Sequence, residues 1–465
     1  MAAQLSDTPA SAPGLEDRTI LDIDAAAANS YLLILARTLS DVVVPAVQGR
    51  PRSAALDCIT IATRVAQQLA ASGSDAARLL AGAAVSAQDL GTLKPGDWLR
   101  IAEAEGAALD ASEREAMRLA DSYRTCAANS RAVDRARIEH YLQGHELGGP
   151  AVRVTEATAL SGGRSKQTIL VVQEGAADLP TRFVIRQDWL AAKQDWAKDV
   201  TRGIAAEFEV LKHTSALGLR TPKPLLVERS PEPLGAPFMA VGCLPGKQEG
   251  DLFFPPQREA LAIQLAQQLA TLHKHSMQQV AAAANLKTHS HTREELSAEL
   301  SASRAAITRL DSPSKTLDIA LAWLEQHIGE TEGPLALIHG DVAFHNIMVD
   351  GDQLTALLDW ELAHLGNPAQ DLGYCKSAVE KMTDWPRFMA AYREAGGPDV
   401  PLAAVEFYAL WSSVWLYATL LQAREGVKGG MLMDAEVVVF CAHFLPVLRH
   451  RMSLELRAVL KRQPQ

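Results

Sequence analysis

The sequence predicts an α+β protein, with a small β-rich lobe, then a large helical lobe, both preceded by an all-α region. Three observations lead there. At 465 residues the chain is too long for one ordinary domain and fits two or three. A change of texture at Gly148-Gly149-Pro150 separates an Ala-rich, helically patterned stretch from a series of β-like segments. Beyond Gly250 the helical pattern returns, broken by only two short apolar runs.

Taken in order, residues 1–17 are rich in Ala, Ser and Pro and read as a disordered tail. Residues 18–147 read as a helical bundle, because Leu32, Leu35, Leu39 and Val42 recur at spacings of three and four, as do Ile61, Val65 and Leu69. Pro45, Pro51 and Pro95-Gly96 punctuate it. The bundle carries no paired catalytic residues, which leaves it as a surface for a protein partner or for self-association. Residues 151–246 form the small lobe. Its strands are expected at 152–160, 168–173 and 182–187, followed by a helix at 204–217 and a strand at 238–243. Gly218, Pro222 and Pro224 close that helix. Residues 247–465 form the helical lobe, with Leu261, Leu265, Leu269 and Leu272 on one stripe. Near its end Phe407, Trp411, Trp415 and Leu416 are expected to face inward. The apolar runs at 335–338 and 354–358 interrupt the helices.

Composition excludes several classes of function. The formal charge is −10, with 14 Lys and Arg against 19 Asp and Glu in residues 1–150 and 31 against 36 in the rest. No stretch concentrates positive charge, so neither a nucleic-acid partner nor a polybasic membrane contact is expected. Five scattered cysteines without a C-x-x-C pair read as reduced thiols rather than a zinc site. The amino terminus lacks the basic and apolar regions of a signal peptide, and no unbroken apolar run approaches the roughly 18–20 residues of a membrane helix. A cytoplasmic protein is expected.

The chemistry is concentrated in Leu335-Ala-Leu-Ile-His-Gly-Asp-Val-Ala-Phe-His-Asn-Ile-Met348, followed by Leu357-Leu-Asp-Trp-Glu361. Two apolar strands each deliver acidic or amide groups to one loop region. Asp341 and Asn346 are five residues apart, and Asp359 follows Asp341 by eighteen. Phosphoryl transfer asks for such a set: one carboxylate to orient a hydroxyl and take its proton, and an amide oxygen with a second carboxylate to hold magnesium. Protein kinases use the same offsets.

The ordered set H-G-D-x-x-x-x-N and L-D-W-E resembles the aminoglycoside phosphotransferase and choline-kinase-like superfamily. The segment from Leu358 to Tyr374 resembles, more narrowly, the phosphotransferase domain associated with acyl-CoA dehydrogenases. This resemblance implies a protein-kinase-like two-lobe fold and an enzyme that uses ATP and Mg2+ to phosphorylate a substrate hydroxyl. It implies Asp341 as the catalytic carboxylate, Asn346 and Asp359 as metal ligands, and His339 and Asp371 as structural supports of the loop. It also implies a nucleotide side. Ser165 and Lys166 close the loop Leu160-Ser-Gly-Gly-Arg-Ser-Lys166, whose glycines let backbone N–H groups approach phosphate. Relatives commonly read G-G-x-S-N here, so Lys166 is a departure that adds a phosphate contact or sits in a solvated turn. Arg186 would grip the α- and β-phosphates, held by Glu207, with Glu209 as the rival partner one face away. Backbone groups at Val241 and Cys243 would read the base.

His345, His364, His273 and His275 make no ligand pattern with another His or Cys and read as packing or surface residues. The expected function is therefore an ATP- and Mg-dependent small-molecule kinase, with a hydroxyacyl-CoA as the acceptor to which the narrower resemblance points. The alternatives are an aminoglycoside or amino-alcohol phosphotransferase and a non-catalytic nucleotide-binding interaction protein.

Overall fold

In a computed structural model of the chain, the described residues are 133–160, 166–176, 178–188, 203–250, 254–274, 293–310, 314–333, 335–428 and 435–462, with Glu103. The expected tail 1–17 and most of the expected bundle 18–147 lie outside them.

The small lobe is built on one antiparallel sheet of β1 (Arg153–Leu160), β2 (Lys166–Glu174), β3 (Arg182–Asp188), β4 (Pro224–Glu228) and β5 (Phe238–Gly242), in the order β1-β2-β3-β5-β4. Four of these strands were expected. The fifth, β4, was not, because Pro222 and Pro224 read as helix terminators. It lies at the sheet's edge and begins at Pro224, where a missing N–H costs no ladder bond.

Side-chain alternation sorts the sheet into two faces. Phe238 and Ala240 of β5 pack with Ile169, Val171, Phe183 and Ile185, whereas Met239 and Val241 point into the opposite core. Helix α1 (Arg135–Gly144) covers the first face with Ile138 and Leu142, each 1% exposed. Asp134 caps it by accepting from Arg137 N, and Glu139 accepts from Val154 N, so the helix is hydrogen-bonded to the strand it covers. The odd-numbered residues of β2 and β3 fill this outer core. Even-numbered Lys166 and Arg186 therefore share the other face, which looks toward the large lobe. Helix α2 (Ile204–Ala216) packs against β3, β4 and β5.

The large lobe contains α3 (Glu259–His273), α4 (Arg293–Leu310), α5 (Lys315–His327), α6 (Ala369–Val379), α7 (Trp385–Glu394), α8 (Leu402–Lys428) and α9 (Ala435–Arg462). The expected leucine stripe of α3 is fully buried. Helix α8 is central and packs on α4, α5, α6 and α9. By length and hydropathy it could cross a membrane, yet 83% of its apolar window is buried inside the protein. Ser412, Ser413 and Thr419 interrupt that window, so no unbroken apolar run stands out in the sequence. Phe407 and Trp411 are buried as expected, while Trp415 and Leu416 are only partly so.

Two small sheets carry the loops between the lobes. One joins β6 (Lys247–Gln248), β8 (Ile347–Asp350) and β9 (Gln353–Leu357); the other pairs β7 (Ala336–Ile338) with β10 (His364–Gly366).

Candidate active site

Strand register assembles the first half of the site. The β8–β9 hairpin pairs Ile347 with Leu357, so Asn346, just before β8, comes to lie beside Leu358, just after β9. Leu358 N donates to Asn346 O at 2.8 Å, and the His339 ring Nε2 lies 2.9 Å from Leu358 O. Asp359 is thereby tied to the loop that carries Asp341. Asn346 Nδ2 donates to Asp341 Oδ2 at 2.8 Å and to Asp341 O at 3.1 Å, which leaves the Asn346 amide oxygen as the ligand atom. Asp341 Oδ1 is buried, and the carboxylate also meets the Tyr374 hydroxyl.

Two backbone features mark this region. Asp359 has φ 63°, the only positive φ of a non-glycine residue among the described residues. Such conformations cluster where function holds them. Gly340 has φ 83°, and a Cβ there would stand 2.6 Å from Leu362 O, so glycine is required on both counts.

A buried chain of polar groups anchors the loop from below. Asp371, in the first turn of α6, is fully buried and accepts from His339 N at 2.8 Å and Gly340 N at 2.9 Å. Its Oδ2 lies 3.0 Å from His273 Nε2, and His273 Nδ1 lies 2.9 Å from the Tyr392 hydroxyl. Burial works to raise the Asp371 pKa, but the hydrogen bond from His273 and its charge outweigh burial and hold the carboxyl below its ordinary value. His273 is thus a buried packing residue, one of the two readings expected from sequence, and it also carries polar partners. Its partners stand 98 and 119 positions away, beyond any local pattern.

The second half of the site comes from the small lobe. Arg186 donates through Nη1 to Glu207 Oε1 at 2.5 Å and through Nη2 to Asp359 Oδ1 at 2.7 Å. Glu207 is fully buried, which decides between the two expected candidates: Glu209 instead pairs with Lys212 at 3.0 Å and Arg229 at 3.6 Å, away from the cleft. Lys166 is not in a solvated turn. It opens β2, is 2% exposed, and its Nζ lies 3.0 Å from Glu207 Oε2 and in ion-pair contact with Glu361 Oε2. Burial opposes the charge on both cations, but Glu207 and the Asp359–Glu361 pair more than compensate and raise both above their ordinary values. Burial also opposes the charge on Asp359, yet Arg186 and Lys166 hold its carboxyl down at about 2. Burial and the neighbouring Asp359 raise Glu361, against the pull of Lys166.

Ser165 lies outside the described residues. Val241 is buried in β5, paired with Val184 on one side and Pro224 on the other, so its backbone belongs to the sheet. Cys243, half-buried and a free thiol, is the first residue beyond the ladder on this side of the cleft. Of the flanking histidines, His345 is exposed with Nε2 4.0 Å from Asp341 Oδ2, and His364 Nδ1 lies 2.8 Å from Leu362 O.

Two members of the site went unrecognised in the sequence. Glu361 belongs to the quoted motif, and its distance of two from Asp359 was a usable signal. Tyr374 is buried, and burial together with the charge of Asp341 and a hydrogen bond to its carboxylate pushes the phenol well above its ordinary pKa. Its place in α6, three residues after Asp371, was the only hint.

A divalent ion, implied by the fold, would meet only oxygen donors here: Asp341, Asp359 and the Asn346 amide oxygen. Among the described residues no three His, Cys, Asp or Glu side chains form a ready cage. The oxygen set suits magnesium, which prefers hard oxygens, keeps several waters and takes one or two carboxylates together with substrate phosphates.

Comparison with known proteins agrees with this geometry. The model of a family described as "Phosphotransferase enzyme family" matches residues 156–410. Acyl-CoA dehydrogenase family member 11 of Homo sapiens is 26% identical over 249 residues, 52% of this chain and 30% of that protein. Family member 10 of Mus musculus is 24% identical over 284 residues, 60% of this chain and 25% of that protein. The chain thus spans less than a third of these relatives. Among solved structures, an aminoglycoside phosphotransferase-type protein of Ralstonia eutropha superimposes with a TM-score of 0.54 at 18% identity, covering 70% of this chain and 98% of the other. The GDP complex of aminoglycoside 2'-phosphotransferase-IIIa gives 0.50 at 18% identity, covering 68% and 99%. These likenesses show the fold, a kinase-like mixture of helix and antiparallel sheet, and the family match extends over more than half of the sequence. The chain belongs to the phosphotransferase enzyme family.

Proposed function

We propose that this chain transfers the terminal phosphoryl group of ATP to a hydroxyl of a small organic molecule, with Mg2+ as the ion. The observation that carries the proposal is the convergence of Asp341, Asn346 and Asp359 on one tied-down loop region, with Asn346 Nδ2 on Asp341 Oδ2 and Leu358 N on Asn346 O. A bound substrate hydroxyl donates to the Asp341 carboxylate. As its oxygen forms a bond to the γ-phosphorus and the bond to the β-phosphate oxygen breaks, Asp341 takes the proton. When bound, Mg2+ neutralises charge on the phosphates, with Asn346 and Asp359 as the residues that would hold it. Arg186, aligned by Glu207, and Lys166 bind the phosphates, together with Ser165 of the glycine loop. Backbone groups at Cys243, just beyond the sheet that holds Val241, meet the base.

A hydroxyacyl-CoA is the acceptor class we favour. The likeness to acyl-CoA dehydrogenase family members and the segment Trp360-Glu-Leu-Ala-His-Leu-Gly366 support it. Phosphorylation there would turn a hydroxyl into a leaving group. The aminoglycoside or amino-alcohol alternative is supported by the fold neighbours alone. We place the reaction in the cytoplasm, supported by the free thiols Cys243 and Cys375. Residues 18–132, ahead of the helix that covers the small-lobe sheet, are proposed as an all-α module for a partner or a second copy, supported by their helical spacing.

Purified protein with ATP, Mg2+ and a hydroxyacyl-CoA should turn over, and Asp341→Ala should lose about a hundred- to ten-thousand-fold in rate. Equal turnover by Asp341→Ala and Asp359→Ala would remove the mechanism. A rise in melting temperature with CoA thioesters but not with aminoglycosides would select the acceptor class, because a ligand of the native state stabilises it. The reverse pattern would select the alternative.

A further inference from the structure

The charged side chains across the cleft form a ladder in which each cation is shared. Asp359 holds Arg186, Arg186 holds Glu207 through Oε1, Glu207 holds Lys166 through Oε2, and Lys166 holds Glu361. Two cations thus face three carboxylates in a space almost closed to water. Lys166 is the unusual member. A strand residue directly after a glycine loop, on the cleft face, is well placed for a phosphate. Yet this lysine is 2% exposed and reaches across to a carboxylate of the other lobe.

Phosphoryl transfer commonly employs two divalent ions, about 3.5–4 Å apart, on neighbouring oxygen ligands. Glu361, two residues beyond Asp359 and with a side chain 14% exposed, is the carboxylate a second ion would take. An ammonium already stands on it. A divalent ion on the same carboxylate would meet like charge where little water screens it. A lysine ammonium is a compact charge with three donors; Glu361 accepts one, Glu207 is an ion-pair neighbour at 3.0 Å, and donors remain for a phosphate oxygen.

We propose that Lys166 takes the place of a second metal ion, so that the site binds a single divalent cation, at Asn346 and Asp359. Glu361 serves as the counter-charge that positions Lys166. The inference rests on the phosphotransferase function proposed above, because only a triphosphate site calls for the charge that Lys166 supplies. It also accounts for lysine at a position where relatives commonly carry asparagine, whose side chain brings no charge to replace an ion.

The test is a count of bound Mn2+, used in place of Mg2+, on the full chain with ADP, by electron paramagnetic resonance and equilibrium dialysis. The wild-type chain is expected to bind one Mn2+. Lys166→Asn is expected to bind two, with the line broadening of closely spaced ions, and Lys166→Asn combined with Glu361→Gln is expected to return to one. Lys166→Gln carries the same measurement with a side chain that fills more of the buried space, should the asparagine variant not fold. Two Mn2+ in the wild-type chain, or one in the folded lysine variants, overturns the proposal. No Mn2+ bound with nucleotide by any chain overturns the phosphotransferase reading itself, and the inference with it.

Discussion

The two sides of the cleft are held by different forces. On the large-lobe side the loop around Asp341 is fixed through its backbone: Asp371 accepts from two successive N–H groups, and Leu358 is bonded at N and O to Asn346 and His339. On the small-lobe side Arg186 and Lys166 are held by side-chain charge alone, on Glu207, Asp359 and Glu361. Backbone bonds keep their geometry whatever ions arrive. Ion pairs can be exchanged, carboxylate for phosphate, without disturbing the fold. In the proposed mechanism the difference means that Asp341 is set before substrate binds, while Arg186 waits on Asp359, a partner that a nucleotide and its ion can replace.

The largest effect should come from breaking the backbone-held side. Asp371→Ala strands two buried N–H groups and His273, and is expected to cost about 3–5 kcal/mol, as for a broken buried pair. Chemical unfolding measures the loss. Turnover should fall further than nucleotide affinity, and a parallel fall in both would erase the proposed contrast between the sides. Arg186→Met removes one rung of the charge ladder, but Lys166 still neutralises Glu207. The expected cost is roughly 2 kcal/mol, less than a lone buried partner would impose. Here nucleotide affinity should drop more than stability, read by calorimetric titration, and Arg186→Lys should recover part of it. Tyr392→Phe lengthens the view of the anchor by one bond. It should cost about 1 kcal/mol in unfolding with little change in nucleotide affinity.

An effect outside the cleft, seen only above neutral pH, lies on α4. Burial, then the charge of Glu295, pushes the Glu299 carboxyl up to about 7. A raised carboxyl favours the folded state fully below its ordinary value of 4.5, and that contribution is lost as pH rises through about 7. Glu299→Gln should therefore raise the melting temperature at pH 8 and leave it nearly unchanged at pH 4. A gain of equal size at both pH values would place the carboxyl in the ordinary range.

Much of the site was legible because its residues are near one another in the chain. Asp341, Asn346, Asp359 and Asp371 fall within 31 positions, the first pair after one short apolar strand and the second pair after another. The small-lobe partners were legible as types but not as contacts. Periodicity places Glu207 and Glu209 on different faces without saying which face meets Arg186. Lys166 looked like a loop residue because the glycines precede it, and only the β2–β3 register puts it on the face of Arg186. The strand β4 was obscured by two prolines, whose meaning depends on whether a strand is central or at an edge.

By itself the sequence determined the succession of the β-rich and helical lobes, the faces of its helices and the identity of the groups gathered at the candidate site, since these follow from local spacing and side-chain type. Which carboxylate meets which cation, the link from Tyr392 through His273 to Asp371, and the ammonium seated on Glu361 were decided by the tertiary structure alone. The reason is physical. A buried charge takes whichever opposite charge the packed chain brings within about 3–4 Å, and that neighbour is chosen by strand register and helix rotation rather than by distance along the sequence.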